Sequence, residues 1–210
     1  MKTFVLTAIV GTALASAATA AAPIAVTLAA STPLVTYGTP VTLSGTVSRP
    51  KAGLPVSIEA TECGSAAQVT AALPRTVETG AFSAAVAPTT ASSYQAALRR
   101  NLSPAVAVGV RPLLELRKVA RGRYRARATA GQPLTGKFVL FQRYKKRRKQ
   151  WKQVKRLPLG AAVPGTTRPA IVSSVAFRAK LPRGTRVRVA ISTAQAGPCY
   201  AAATSKSLRA

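Results

Sequence analysis

From residue 41 onward, apolar and polar residues alternate in short runs and do not recur every three or four positions. Val41-Thr-Leu-Ser-Gly-Thr-Val47 alternates, as do Pro55 to Ala60, Ala81 to Ala87 and Ala105 to Val110, with Gly or Pro between the runs. A period of two turns one side of each run inward, the pattern of short antiparallel strands with one buried face. No helical period is sustained over three turns beyond the N-terminal residues. The expected fold class is therefore all-β, as two tandem antiparallel β-sandwiches.

The N-terminus departs from this pattern. Lys2 precedes the apolar run Phe4 to Ala15 and the small residues Ala18-Thr19-Ala20, which together predict a secretory signal peptide over residues 1–20. No later run approaches the roughly 18 apolar residues that a spanning helix needs, so no transmembrane segment is expected. Pro112 would interrupt a strand ladder, and it divides the remainder into an expected domain over 21–111 and another over 112–210, each of sandwich size.

A weak repeat keeps its order through both parts. Val41 to Ser48 (VTLSGTVS) corresponds to Tyr124 to Gly131 (YRARATAG), and Ala52 to Ala60 to Leu134 to Gln142. Thr79 to Pro88 matches Ser174 to Arg183, and Tyr94 to Leu98 matches Val187 to Ile191. The segments VTYGTPVTLSGTVS, AGLPVSIEA, GAFSAAVAPTTASSYQA and SPAVAVGVRP resemble the immunoglobulin-like repeat domains of bacterial secreted and surface proteins, especially those of Ala-rich actinobacteria. GKFVLFQRY, Trp151, VAFRAKL and GPCYAAATSKSL resemble a second copy. The resemblance implies a β-sandwich with a spacer, adhesive or binding role, and it carries no catalytic residues. Neither part holds the two Cys and intervening Trp of antibody-type domains.

Charge separates the two parts. Residues 111–210 carry 25 Lys and Arg against the single acid Glu115, whereas residues 23–110 carry five against Glu59, Glu62 and Glu78. A field that strong favours anionic polymers. The densest stretch holds Arg143, Lys145, Lys146, Arg147, Arg148, Lys149, Lys152, Lys155 and Arg156, with KKRRKQ expected at the exposed tip of a hairpin. Tyr144 and Trp151 at its base offer faces for stacking on a base or sugar ring. Trp151 reads first as core or core edge and second as such a platform. By strand alternation Arg123, Arg125 and Arg127 share an outward face, as do Arg178 and Lys180, and an immunoglobulin-like topology would set the two groups side by side.

The chain has no His and no Asp, which removes Ser-His-Asp and Cys-His catalysis, His-based zinc sites and Asp-rich calcium loops. Of the four Glu, Glu59 and Glu62 are close together but are expected on opposite faces of a strand, and Glu78 and Glu115 stand alone, so they do not suggest the carboxylate pair of a glycosidase. Ser48-Arg49-Pro50-Lys51 has S-x-x-K spacing, but Pro50 and Gly53 place it in a turn. No catalytic residue, metal or cofactor is expected. Cys63 and Cys199 fall in different domains, where in an oxidising compartment they would form an interdomain disulfide worth about 3 to 5 kcal/mol; the alternative is two unpaired small residues.

The expectation is a secreted or cell-surface, non-enzymatic protein. Its basic domain would dock on teichoic acid, acidic polysaccharide or anionic lipid headgroups. A secreted nucleic-acid binder and a purely structural spacer are the alternatives.

Overall fold

A computed structural model of the chain describes residues 24–167 and 169–210, so the expected signal peptide over 1–20 lies outside the described residues. Among the described residues, four sheets pack as two sandwiches in tandem. The first is built from β1 (Ala29–Ala30), β2 (Leu34–Thr36), β3 (Val41–Thr46), β4 (Ser57–Glu62), β5 (Gln68–Ala72), β6 (Ala81–Val86), β7 (Ser92–Leu98), β8 (Asn101–Leu102) and β9 (Val106–Arg111). One sheet runs β1-β3-β6 and the other β2-β9-β7-β4-β5, with β8 added to β7. The opening strand is shared between the sheets: β1 runs antiparallel to β3, whereas β2 runs parallel to β9. In immunoglobulin lettering this is ABE against A′GFCC′.

The second sandwich contains β10 (Leu113–Ala120), β11 (Arg123–Ala130), β12 (Phe138–Lys145), β13 (Gln150–Pro158), β14 (Val163–Pro164), β15 (Ile171–Arg178), β16 (Arg186–Ile191), β17 (Ala203–Thr204) and β18 (Leu208–Arg209), with a short helix α1 (Thr193–Ala196) before β17. Its sheets run β10-β11-β15-β14 and β13-β12-β16-β17, β18 also pairing with β16, which is ABED against C′CFG. The chain is thus all-β, as two immunoglobulin-like sandwiches. The repeated segments occupy matching strands: β3 and β11, β4 and β12, β6 and β15, β7 and β16.

Alternation explains what each strand buries. In β11, Tyr124, Ala126 and Ala128 are buried while Arg123 and Arg125 are exposed, and in β16, Val187, Val189 and Ile191 are buried while Arg186 is exposed. Tyr124, Phe141 and Phe177 meet between the sheets of the second sandwich, with ring centroids 4.9 to 5.6 Å apart. Edge-on and offset ring contacts of this kind add about 0.5 to 1.5 kcal/mol per pair beyond area burial.

The sandwiches meet across a fixed contact. Pro112 alone separates β9 from β10 and is fully buried. Cys63, just after β4, forms a disulfide with Cys199 in the turn before β17, with Cα atoms 5.4 Å apart. Such a bond persists in an oxidising compartment. The backbone N–H of Ala91 donates to Cys199 (3.0 Å) and that of Ala201 to Val110 (2.8 Å). Gly131 permits close approach, because a Cβ there would lie 2.9 Å from the Thr89 carbonyl oxygen. Buried apolar residues of both sandwiches form one contiguous cluster.

Tyr200 closes this contact by donating its hydroxyl to the Thr89 carbonyl at 3.1 Å. Burial pushes its phenol up to about 12, with backbone hydrogen bonds from Gly131 and Gln132 offsetting part of the shift. The folded state prefers the neutral ring, so its contribution is complete below pH 10 and is lost as pH rises from 10 to about 12. Unfolding free energy should fall over that window by up to about 3 kcal/mol from this group. In Tyr200→Phe the fall should be clearly smaller, as urea titrations at pH 9, 10 and 11 would measure.

Candidate functional site: a basic end on the second sandwich

The β12–β13 hairpin carries the densest charge. Its tip is a 3₁₀ turn, Lys146–Arg148, followed by Lys149 with φ of 49°. A left-handed conformation costs a non-glycine residue roughly 1 to 2 kcal/mol, so a lysine sits where glycine would be easier. Lys146, Arg147, Arg148, Lys149 and Lys152 are exposed, and Arg143 and Lys145 are half-buried. Arg143 and Lys145 continue the face of β12 that carries the core residues Val139 and Phe141; Arg143 stands opposite the buried Val187 of β16, and Lys145 lies beyond it toward the tip. Lys152 pairs with Arg143. Lys145 is held below the ordinary lysine range, by the charge of Lys152 first, then by Arg143, desolvation and Arg148. This is self-repulsion within the tip.

The remaining cations of the stretch are turned elsewhere. Lys155 donates from Nζ to the Arg178 carbonyl at the end of β15 (3.3 Å). The Arg156 guanidinium lies over the Phe138 ring, 3.4 Å from its centroid, on the outer face of the sheet.

Trp151 is not a core residue. Strict alternation along β13 would place it on the face of the buried Leu157, but Leu157 pairs with Val139, Lys155 with Phe141, and then Gln153 with Gln142. The extra residue Val154 makes a β-bulge, which reverses the parity and turns Trp151 outward against Tyr144, with centroids 5.2 Å apart. On that outer face Arg188 covers Trp151 at 4.2 Å, and Arg186 lies 5.5 Å from Tyr144 and 6.0 Å from Trp151. Gln142 accepts from Arg188 Nε at 2.8 Å, and desolvation holds Arg188 below its ordinary value. The aromatic pair therefore supports arginines. A double-mutant cycle of Trp151→Leu and Arg188→Met, read by urea denaturation, should give a coupling of about 0.5 to 2 kcal/mol.

On the opposite sheet, Arg123 stands across from Arg178 and Arg117 across from Arg125, while Arg127 faces Glu115. Like charges directly opposite are destabilising. Lys180 lies beyond the end of β15 and is not in the sheet beside Arg123 to Arg127. Instead it lines a cavity of about 830 Å³ with Lys118, Arg121 and Arg183, next to the chain end Ala210. Arg183 also lines a smaller cavity of about 210 Å³ with Tyr144, Lys146 and Arg186. The turn between β10 and β11, the hairpin tip and the loop before β16 thus converge on one end, opposite the end that holds Pro112, Gly131 and Cys199 against the first sandwich. Alternation does not single out Arg121 and Arg183, because they sit in turns, where the Gly122 and Gly184 punctuation beside them is the available signal; Lys118 is paired with Tyr124 near the end of β10, next to an irregularity in the ladder.

Among the described residues no group of three or more His, Cys, Asp or Glu could hold a metal ion, and no helix is long and apolar enough to cross a membrane. No family model matches the chain, and no curated protein matches it. Among solved structures, one titled a marsupial T cell receptor is similar at 11% identity over 87% of this chain and 70% of its own, with a TM-score of 0.32.

Proposed function

We propose that this is a secreted, non-enzymatic protein of the cell envelope or extracellular space, of the bacterial immunoglobulin-like repeat type, whose second sandwich docks end-on onto an anionic polymer. The observation that carries the reading is the convergence of cations from three loops on the end that points away from the first sandwich. These charges have one acid, Glu115, in their half of the chain, and Glu115 is engaged with Arg117 at 3.3 Å. The repulsion that depresses Lys145 is relieved when anionic groups bind between the cations. Teichoic acid, acidic polysaccharide and anionic lipid headgroups are the ligand classes, and the nearly neutral first sandwich serves as spacer or protein contact.

Nucleic acid is a weaker candidate because Arg188 occupies a face of Trp151 and Tyr144 packs against that ring, so bases have less ring surface on which to stack. The test is equilibrium binding at physiological salt to purified teichoic acid, acidic polysaccharide, anionic vesicles and single-stranded DNA, with Trp151→Ala beside the parent. Docking by charge predicts binding to an envelope polymer that Trp151→Ala leaves within about twofold. A loss of about 1 to 3 kcal/mol confined to single-stranded DNA would favour the nucleic-acid reading.

A further inference from the structure

The outer face of the β10-β11-β15-β14 sheet carries a second arrangement of cations. A cavity of about 330 Å³ is lined by Arg117, Arg125, Arg127 and Glu115, with Val163 to Thr166 along one rim. Strand alternation supplies the three arginines: Arg125 and Arg127 leave the same face of β11, and Arg117 stands opposite Arg125 on β10. Glu115 is the register partner of Arg127, yet its carboxylate pairs with Arg117. Arg127 is therefore left without an ion pair among the described residues. Its Nε is shielded from solvent and meets no hydrogen-bond partner. A sheltered guanidinium N–H with nothing to donate to is costly, and three guanidinium groups against one carboxylate leave the cavity short of negative charge. Guanidinium forks match the oxygens of phosphate, sulfate and carboxylate in pairs.

We infer that this cavity is a binding site for one oxyanion group, built around Arg127 with Arg125 and Arg117 beside it. It differs from the diffuse charge at the far end of the sandwich, because it asks for a fork at a defined position. The inference does not depend on polymer docking by that end.

The test titrates sodium phosphate, sodium sulfate and sodium acetate into the mature protein at constant ionic strength, adjusted with sodium chloride. The readout is the set of arginine Nε–Hε resonances. The expected result is a saturable shift of the Arg127 resonance with a dissociation constant on the order of 1 mM. Arg127→Lys keeps the charge but loses the fork, and should weaken binding at least about tenfold. Arg125→Gln, at the exposed side of the site, should weaken it several-fold while leaving the sheltered Arg127 Nε in place. Glu115→Gln should tighten it several-fold by removing the competing negative charge. The variant with Lys145 to Lys149 changed to Gln should bind these small anions as the parent does, so failure of this site and failure of polymer docking are separable. Glycerol phosphate binding more tightly than inorganic phosphate would identify a polymer repeat as the source of the oxyanion, and equal binding a free anion. Shifts that never saturate at constant ionic strength, or Arg127→Lys and Arg125→Gln both binding as the parent does, would overturn the inference.

Discussion

Replacing Cys63 and Cys199 together by Ser should remove about 5 kcal/mol of unfolding free energy. The bond closes a loop with a sequence separation of 136, and in the chain-entropy account a loop of that length restricts the unfolded chain by about this amount. At roughly 2 to 4 °C per kcal/mol for a chain of this size, the melting temperature should drop by about 10 to 20 °C. The bond also joins the sandwiches, so its loss should change the shape of the transition. The double variant keeps Pro112, the Tyr200 hydroxyl contact and two backbone hydrogen bonds across the contact. These do not hold the sandwiches together once one has unfolded. Urea unfolding followed separately by Trp151 fluorescence, which reports the second sandwich, and by far-ultraviolet dichroism should coincide in the oxidised parent and diverge in the double variant. An unchanged midpoint would mean that the packed contact alone sets the stability.

The second large effect concerns ligand binding. Changing Lys145, Lys146, Arg147, Arg148 and Lys149 to Gln should weaken binding to an anionic polymer by about three to four orders of magnitude, since each Lys or Arg near an anionic surface contributes about 1 kcal/mol. The fold should be unaffected, because three of these side chains form the 3₁₀ turn and none is buried. Removing like charges around Lys145 acts in the stabilising direction. The paired outcome, lower affinity with equal or higher stability, separates a binding surface from a structural one. Equal affinity in parent and variant would make the tip a device for solubility.

Much of the fold was legible because a sandwich strand writes its two faces into the sequence. Val41 to Val47 and Arg123 to Ala128 reveal their buried sides directly, and the ordered repeat indicates two units of one kind. Legibility ended where one residue changes a face. Val154 adds a bulge that turns Trp151 from the core side to the outer side, and an alternating pattern cannot register an insertion whose partner strand is unknown. The cysteines were legible as a pair by compartment chemistry, but their Cα distance of 5.4 Å depends on how the sandwiches meet. The basic end was legible only in its hairpin part. Arg121 and Arg183 lie 62 positions apart and come to the same end because the A–B and E–F connections of this topology do so. Glu115 and Arg127 were separately visible, but the choice of Arg117 as the carboxylate's partner rests on side-chain placement.

The far end of the second sandwich is proposed to hold an anionic polymer by charge. The most direct measurement is the slope of log affinity for teichoic acid against log salt, for the parent and for the variant with Lys145 to Lys149 changed to Gln. Counterion release makes this slope count the anionic groups neutralised. Docking by charge gives a steep negative slope in the parent that becomes shallower by about three to five units in the variant. Parallel slopes of equal magnitude in the two proteins would contradict it.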